Sequence, residues 1–128
     1  TFNSQDISHT LLSYAKLGHS SPELFDAAAG EAIKKLDTFT SQHLSNTLWS
    51  LASKDYNVKL AIPLLKRILD LHQSNQLSPE DKAQLHQVIL WVSGEKKEIY
   101  PIPDDVKCDC LSAFTRNAVN PSHLQRDV

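Results

Sequence analysis

Phe39-Thr40-Ser41-Gln42-His43-Leu44-Ser45-Asn46-Thr47-Leu48-Trp49-Ser50-Leu51-Ala52-Ser53-Lys54 decides the fold, because an earlier copy of it stands at the amino terminus. That copy reads Phe2-Asn3-Ser4-Gln5-Asp6-Ile7-Ser8-His9-Thr10-Leu11-Leu12-Ser13-Tyr14-Ala15-Lys16-Leu17. Phe2 pairs with Phe39, Gln5 with Gln42, Ser8 with Ser45, Thr10 with Thr47, Ser13 with Ser50 and Ala15 with Ala52, always 37 residues apart and without a gap. A period that long holds two helices and their turns, the mark of an α-solenoid. The expected fold is therefore all-α: an α-solenoid of helical-hairpin repeats closed by a degenerate C-terminal helical unit. The units are expected at residues 1–37, 38–76 and 77–128.

Outward from the repeat, the local signals agree. Asn3 or Ser4 can cap a helix over about residues 5–17, with Gly18 as its stop. Ile7, Leu11, Tyr14 and Ala15 recur on its expected inner face. Ser20-Ser21-Pro22-Glu23 starts a second helix whose apolar set is Phe25, Ala28, Ala29, Ala32, Ile33 and Leu36. Thr40 or Ser41 caps the next, where Leu44, Leu48, Leu51 and Ala52 form the buried stripe and Trp49 its edge. The partner helix carries Leu60, Leu64, Leu65, Ile68 and Leu71. Pro63 either starts that helix late or kinks it.

After the polar linker Gln73-Ser74-Asn75-Gln76, Ser78-Pro79-Glu80 opens a helix with the stripe Leu85, Val88, Ile89 and Val92, running to Gly94. This unit lacks the Phe-x-x-Gln opening and the 37-residue register, as terminal repeats often do. Glu95 to Pro103 reads as a loop. A helix from Asp104 to about Ala118 follows, with Val106, Cys110, Leu111 and Phe114 inward and Asp104-Asp105 as its cap. Asn120-Pro121-Ser122 breaks it, and His123 to Val128 resembles the first turns of another.

Composition narrows the function. Glycine is scarce, with three in 128 residues, which suits helices. No run approaches the roughly 18 apolar residues of a membrane span. The net charge of −2 lacks the basic excess of a self-sufficient nucleic-acid binder, unless the cations gather on one face. Cys108 and Cys110 would point about 200° apart on a helix, so they cannot jointly hold one metal. Two free thiols suit a reducing interior. His9, His19, His43, His72, His86 and His123 are dispersed without metal-ligand spacing, and no glycine-rich phosphate loop or nucleophile elbow occurs. Neither catalysis nor a cofactor is expected. The chain opens on Thr within a repeat and reads as part of a longer polypeptide.

The pattern Phe-x-x-Gln-x-Leu-Ser-Asn-Thr-Leu-Trp-Ser-Leu-Ala at this spacing resembles the octotricopeptide-type helical repeats. Related repeats occur in the FAST-kinase-domain and heptatricopeptide-type proteins. Gln84-Leu85-His86-Gln87-Val88 resembles a segment that follows those repeats, and Ser122-His123-Leu124-Gln125-Arg126-Asp127-Val128 resembles the segment before a RAP domain, which would begin where this chain stops. The resemblance implies right-handed stacking and an organellar RNA-binding protein of RNA processing, stability, translation or ribosome assembly. It implies single-stranded or ribosomal RNA as a partner, with other proteins of a ribonucleoprotein or ribosome, in the mitochondrion or alternatively the plastid. A nuclease-like activity sometimes suggested for RAP domains would lie outside this chain. His9 in place of Asn46, Leu12 in place of Trp49 and Tyr14 in place of Leu51 set the first copy apart.

On this reading Asp6, His9, Ser13 and Lys16 share a helical face, and His43, Asn46, Ser50 and Ser53, with Lys54 beside them, are their register mates. Stacked, they would form a ladder of donors and acceptors for base edges, with lysines on phosphates. The plainer alternative is a solvated helix face, and Gln42 and Asn46 have a rival role bonding inter-helix turns. Lys34-Lys35, Lys66-Arg67 and Lys96-Lys97 are candidate phosphate contacts or ordinary exposed charges. Trp49 and Trp91 are candidates for base stacking, although their apolar stripes favour core packing. The competing function is a protein–protein scaffold that uses the same ladder without RNA.

Overall fold

The computed structural model describes residues 3–17, 22–56, 58–93 and 100–119. Six α-helices lie among them: α1 (Ser4–Lys16), α2 (Pro22–Lys34), α3 (Ser41–Ser53), α4 (Val58–Gln73), α5 (Pro79–Val92) and α6 (Asp104–Val119), with a 3-10 turn at Leu36–Thr38. The described residues include no strand. The stop at Gly18, His19, the Ser20-Ser21 start, Gly94, Lys96-Lys97 and everything from Asn120 to Val128 fall outside the described residues.

Each first helix begins with the same device. The side chains of Asn3, Thr40 and Ser78 accept from the backbone N–H groups of Asp6, His43 and Asp81, and the side chains of those three residues accept in return from the cap N–H. The three caps are 37 and 38 residues apart. The third unit departs from the 37-residue register, as expected, but only by one residue, and it keeps the same cap.

The helix ends are as definite. Tyr56 N–H donates to the Leu51 carbonyl and Asp55 N–H to that of Ala52, while Gln76 and Asn75 do the same to Leu71 and His72. These are Schellman closures, with Asp55 (φ 48°) and Asn75 (φ 61°) in the left-handed region. Pro63 lies inside α4, which already begins at Val58. It therefore removes the bond that its N–H would have made to the Lys59 carbonyl.

α1, α3 and α5 pack side by side in one layer, α2 and α4 form a second, and α6 lies along α5 in the most extensive helix contact of the molecule. The core runs through all of these, from Ile7, Leu11 and Phe25 through Leu44, Leu48, Leu51, Leu64, Leu65 and Ile68 to Leu85, Val88, Val106 and Cys110. Ala28, Ala29 and Ala32 are buried on α2, where small side chains let the helices approach closely. Tyr14, expected inward, is exposed, because α2 covers α1 less extensively than α4 covers α3. Leu111 is 50% exposed, because α6 docks through Val106, Cys110 and Ala113 and Leu111 is turned about 100° from Cys110. Asp104 and Asp105 sit within the first turn of α6 and not at its cap; the Pro103 carbonyl accepts from Lys107 N–H, and the two carboxylates favour the helix start through its dipole.

Candidate nucleic-acid interface

The polar face expected to meet RNA divides in two once the helices are stacked. On α3, His43, Thr47, Ser50 and Lys54 recur at i, i+4, i+7 and i+11; Thr47 and Ser50 are fully buried and the other two half-buried. Their register mates on α5 are Asp81, Leu85, Val88 and Val92, all buried. This stripe is the surface by which each first helix leans on the one before it. Ser50 is therefore a packing residue, its hydroxyl donating to the Asn46 carbonyl at 2.8 Å. The expectation that it faces outward is corrected.

Asn46 is corrected as well. It is 6% exposed, and its Oδ1 accepts from Gln84 Nε2 at 3.2 Å. Beside it, Ser45 Oγ donates to Asp81 Oδ1 at 2.9 Å and Trp49 Nε1 to Gln87 Oε1 at 2.6 Å, while Trp91 Nε1 donates to Asp55 Oδ1 at 2.7 Å. Each of these four bonds joins residues 36 or 38 apart, so the sequence period reappears as a line of inter-repeat hydrogen bonds. An amide or hydroxyl already paired in a buried seam is costly to withdraw for a ligand. Both tryptophans are half-buried with the indole N–H engaged, in keeping with a structural role. Of the rival roles, Asn46 takes the inter-helix bond, although to a side chain and not to a turn. Gln42 is exposed and contributes its carbonyl to Ser45 Oγ at 3.1 Å.

His43 fills a structural place too. Its Nδ1 accepts from Thr40 N–H at 3.5 Å, which requires that nitrogen to be unprotonated. Burial, with His9 nearby as a lesser cause, holds its pKa below the usual imidazole value. On α1 the equivalent groups reach solvent: His9, Ser13 and Lys16 are all exposed.

The cations of the second layer are more accessible. Lys34 and Lys66 are exposed, and Lys35 and Arg67 half-buried. Glu31 lies 3.8 Å from Lys34 and 3.5 Å from Lys35, which tempers that pair. Arg67 Nε is buried without a partner among the described residues, so the side chain threads its stem along the protein before reaching solvent.

Sequence reading missed one charged cluster. Asp109 Oδ2 lies 2.9 Å from Lys82 Nζ and 2.8 Å from His72 Nε2, joining α6 to α5 and α4. The Lys82 hydrogen bond is the chief cause that holds the Asp109 carboxyl below its ordinary range, against burial and with help from His72. The 37-residue separation of His72 and Asp109 was the available signal. A pocket of about 250 Å³ opens where the end of α4 meets the start of α6, lined by Leu69, Asp70, His72, Gln73, Pro103, Asp105 and Val106. Its two carboxylates make it a poor phosphate site. Nearby, Cys110 is buried and its thiol is pushed up to about 12, mainly by burial, while Cys108 is exposed. Among the described residues no group of three or more His, Cys, Asp or Glu could hold a metal ion, and no helix is long and apolar enough to cross a membrane.

The sequence is 29% identical over 99 residues, 76% of this chain, to a chloroplastic RAP domain-containing protein of Oryza sativa subsp. japonica. The chain spans 14% of that protein's length. No protein-family profile and no solved structure matches it.

Proposed function

We propose that this chain is an RNA-associated helical-repeat segment of an organellar protein, in which the α1–α3–α5 layer is the framework and the cations of α2 and α4 meet phosphate. The observation that carries the reading is the likeness to the chloroplastic RAP domain-containing protein across most of the chain. The repeat pattern supports it independently through its resemblance to RNA-binding octotricopeptide-type repeats. On this reading the interface is carried by Lys34 and Lys66, with Lys35 and Arg67 beside them, and their exposure supports it, as does the burial of Asn46 and Ser50 in the stacking seam. The role is in RNA processing, stability, translation or ribosome assembly, and the relative's name favours the plastid over the mitochondrion.

A scaffold that binds only proteins is the second reading, favoured by the net charge of −2 and by Glu31 beside Lys34 and Lys35. Binding of a pool of single-stranded RNA at about 50 and 200 mM salt separates the two. The RNA reading expects salt-sensitive binding. In a Lys34→Ala, Lys66→Ala, Arg67→Ala variant the log–log salt slope should fall by about one for each cation that had met a phosphate. Absence of binding at low salt would leave the scaffold. Binding that the triple variant retains unchanged would remove these cations from the interface.

A further inference from the structure

The cavity of about 250 Å³ where α4 ends and α6 begins belongs neither to the stacking seam nor to the cations of α2 and α4. Its floor is apolar: Val106 is buried and Leu69 half-buried, with Pro103 as the third apolar residue. Its rim is acidic, since Asp70 on α4 and Asp105 in the first turn of α6 are both exposed. Among the described residues neither carboxylate forms a salt bridge, and no lysine or arginine lines the cavity. His72 in the wall has its Nε2 on Asp109 at 2.8 Å, and Lys82 is held by the same carboxylate at 2.9 Å. These two basic side chains are thereby spent on Asp109.

Size and charge select the occupant. Sites that enclose drug-sized ligands run to roughly 300–1,000 Å³, so a nucleotide is too large for this one. The two carboxylates also repel phosphate. A lysine side chain meets both demands: its aliphatic stem can lie on Leu69, Pro103 and Val106 while its ammonium reaches the rim. Its three donors point apart and suit carboxylates that come from two helices, whereas the planar fork of arginine suits a single carboxylate taken side-on. Exposed charge pairs are weak. The cation is therefore best delivered by a protein surface, which also gains the neutral polar border of Gln73, Ser74, Asn75 and Gln76, all exposed.

We infer that this groove docks a lysine side chain of a partner protein, with Asp70 and Asp105 taking the ammonium and Leu69 and Val106 the stem. Charge complementarity carries the assignment: an acidic rim stands over an apolar floor, and among the described residues no lysine or arginine of this chain lines it. The inference holds whether or not RNA meets α2 and α4.

The test follows the backbone amide shifts of the chain during titration with acetyl-Gly-Lys-Gly-amide. The same tripeptide with norleucine or arginine in place of lysine, and putrescine, are titrated alongside. The lysine peptide should give saturable shifts at Leu69, His72 and Val106 that weaken as salt rises. Asp70→Asn and Asp105→Asn should each weaken its binding by about two- to fivefold. Asp37→Asn, an exposed carboxylate on the 3-10 turn, should leave it unchanged. Equal binding of the norleucine peptide would overturn the inference, because the groove would then make no choice of charge. Tighter binding of the arginine peptide would assign the site to guanidinium, and putrescine binding tighter than the lysine peptide by about tenfold would assign it to a free diamine. Either outcome would overturn the inference, as would shifts indifferent to both aspartate variants or no saturable shift at these amides.

Discussion

Leu48 shows how one side chain serves two helices. It is fully buried in the α3 stripe that faces α4, within the continuous core, and the packed layers leave it little room to be replaced. Leu48→Ala is expected to cost roughly 2–5 kcal/mol, read as a fall in the denaturant midpoint; an unchanged midpoint would mean that the stripe is not the core. Gly30 works in the opposite sense. It lies inside α2, and a Cβ built on it meets nothing within 4 Å. Glycine costs a helix interior roughly 0.5–1 kcal/mol relative to alanine. Gly30→Ala should therefore raise stability by about that amount, and a loss would imply a close approach that the open space does not show. Leu48 was legible from periodicity alone. The roles of Asn46 and Ser50 were not, because a helical period tells which residues share a face but not whether that face meets water or another helix. In a stacked layer the flanks of α3 are buried too, and short polar side chains paired across a seam look in sequence like a solvated surface. The separations of 36 and 38 residues between Ser45 and Asp81, or Asn46 and Gln84, held the missing information. They were obscured because the third unit slips its cap by one residue.

At the scale of the helix, protonation sets stability through the ends and docking sites. His43 accepts at the start of α3 through Nδ1, and His86 packs against the Phe114 ring with centroids 4.7 Å apart. Both are held below the ordinary value of 6.5, in each case chiefly by burial. Above 6.5 both folded and unfolded imidazoles are neutral and the stabilisation is whole. As pH falls below 6.5 the unfolded chain takes up protons first, so stability declines until the folded imidazoles titrate. Asp109 adds a second, more acidic window. Its folded value lies below 3.8, so its contribution is present above 3.8 and disappears as pH falls through the folded value. The thermal midpoint should therefore be lower at pH 5.5 than at pH 7.5, and His43→Gln, which keeps a side-chain acceptor for Thr40 N–H, should flatten part of that slope. A slope identical to the parent would remove His43 from the titration. Asp109→Asn is expected to cost on the order of 1 kcal/mol, discounted because the carboxylate is partly exposed. The loss should show first as faster exchange in α6, since Lys82 and His72 lose the anion that ties that helix down.

Across the whole molecule, stability should be distributed along the array, because each repeat touches only its neighbours. The contacts are unequal. α5 and α6 share the most extensive interface and α3 touches α1, α4 and α5, whereas α2 meets α1 and α4 sparingly and covers them with alanines. α2 is therefore the element with least to lose by opening, and α3 the one whose release dismantles both layers. Native-state hydrogen exchange should rank the helices accordingly, with α2 fastest and α3 and α5 slowest. The Gly30 and Leu48 substitutions then become diagnostic in combination. Gly30→Ala should raise protection in α2 and leave α5 and α6 nearly unchanged, because a local gain reaches only adjacent units. Leu48→Ala should lower protection throughout the α1–α3–α5 layer, because α3 links the first unit to the third. If Gly30→Ala instead raised protection equally in every helix, the chain would open as one unit, and the description of independent neighbouring repeats would fail.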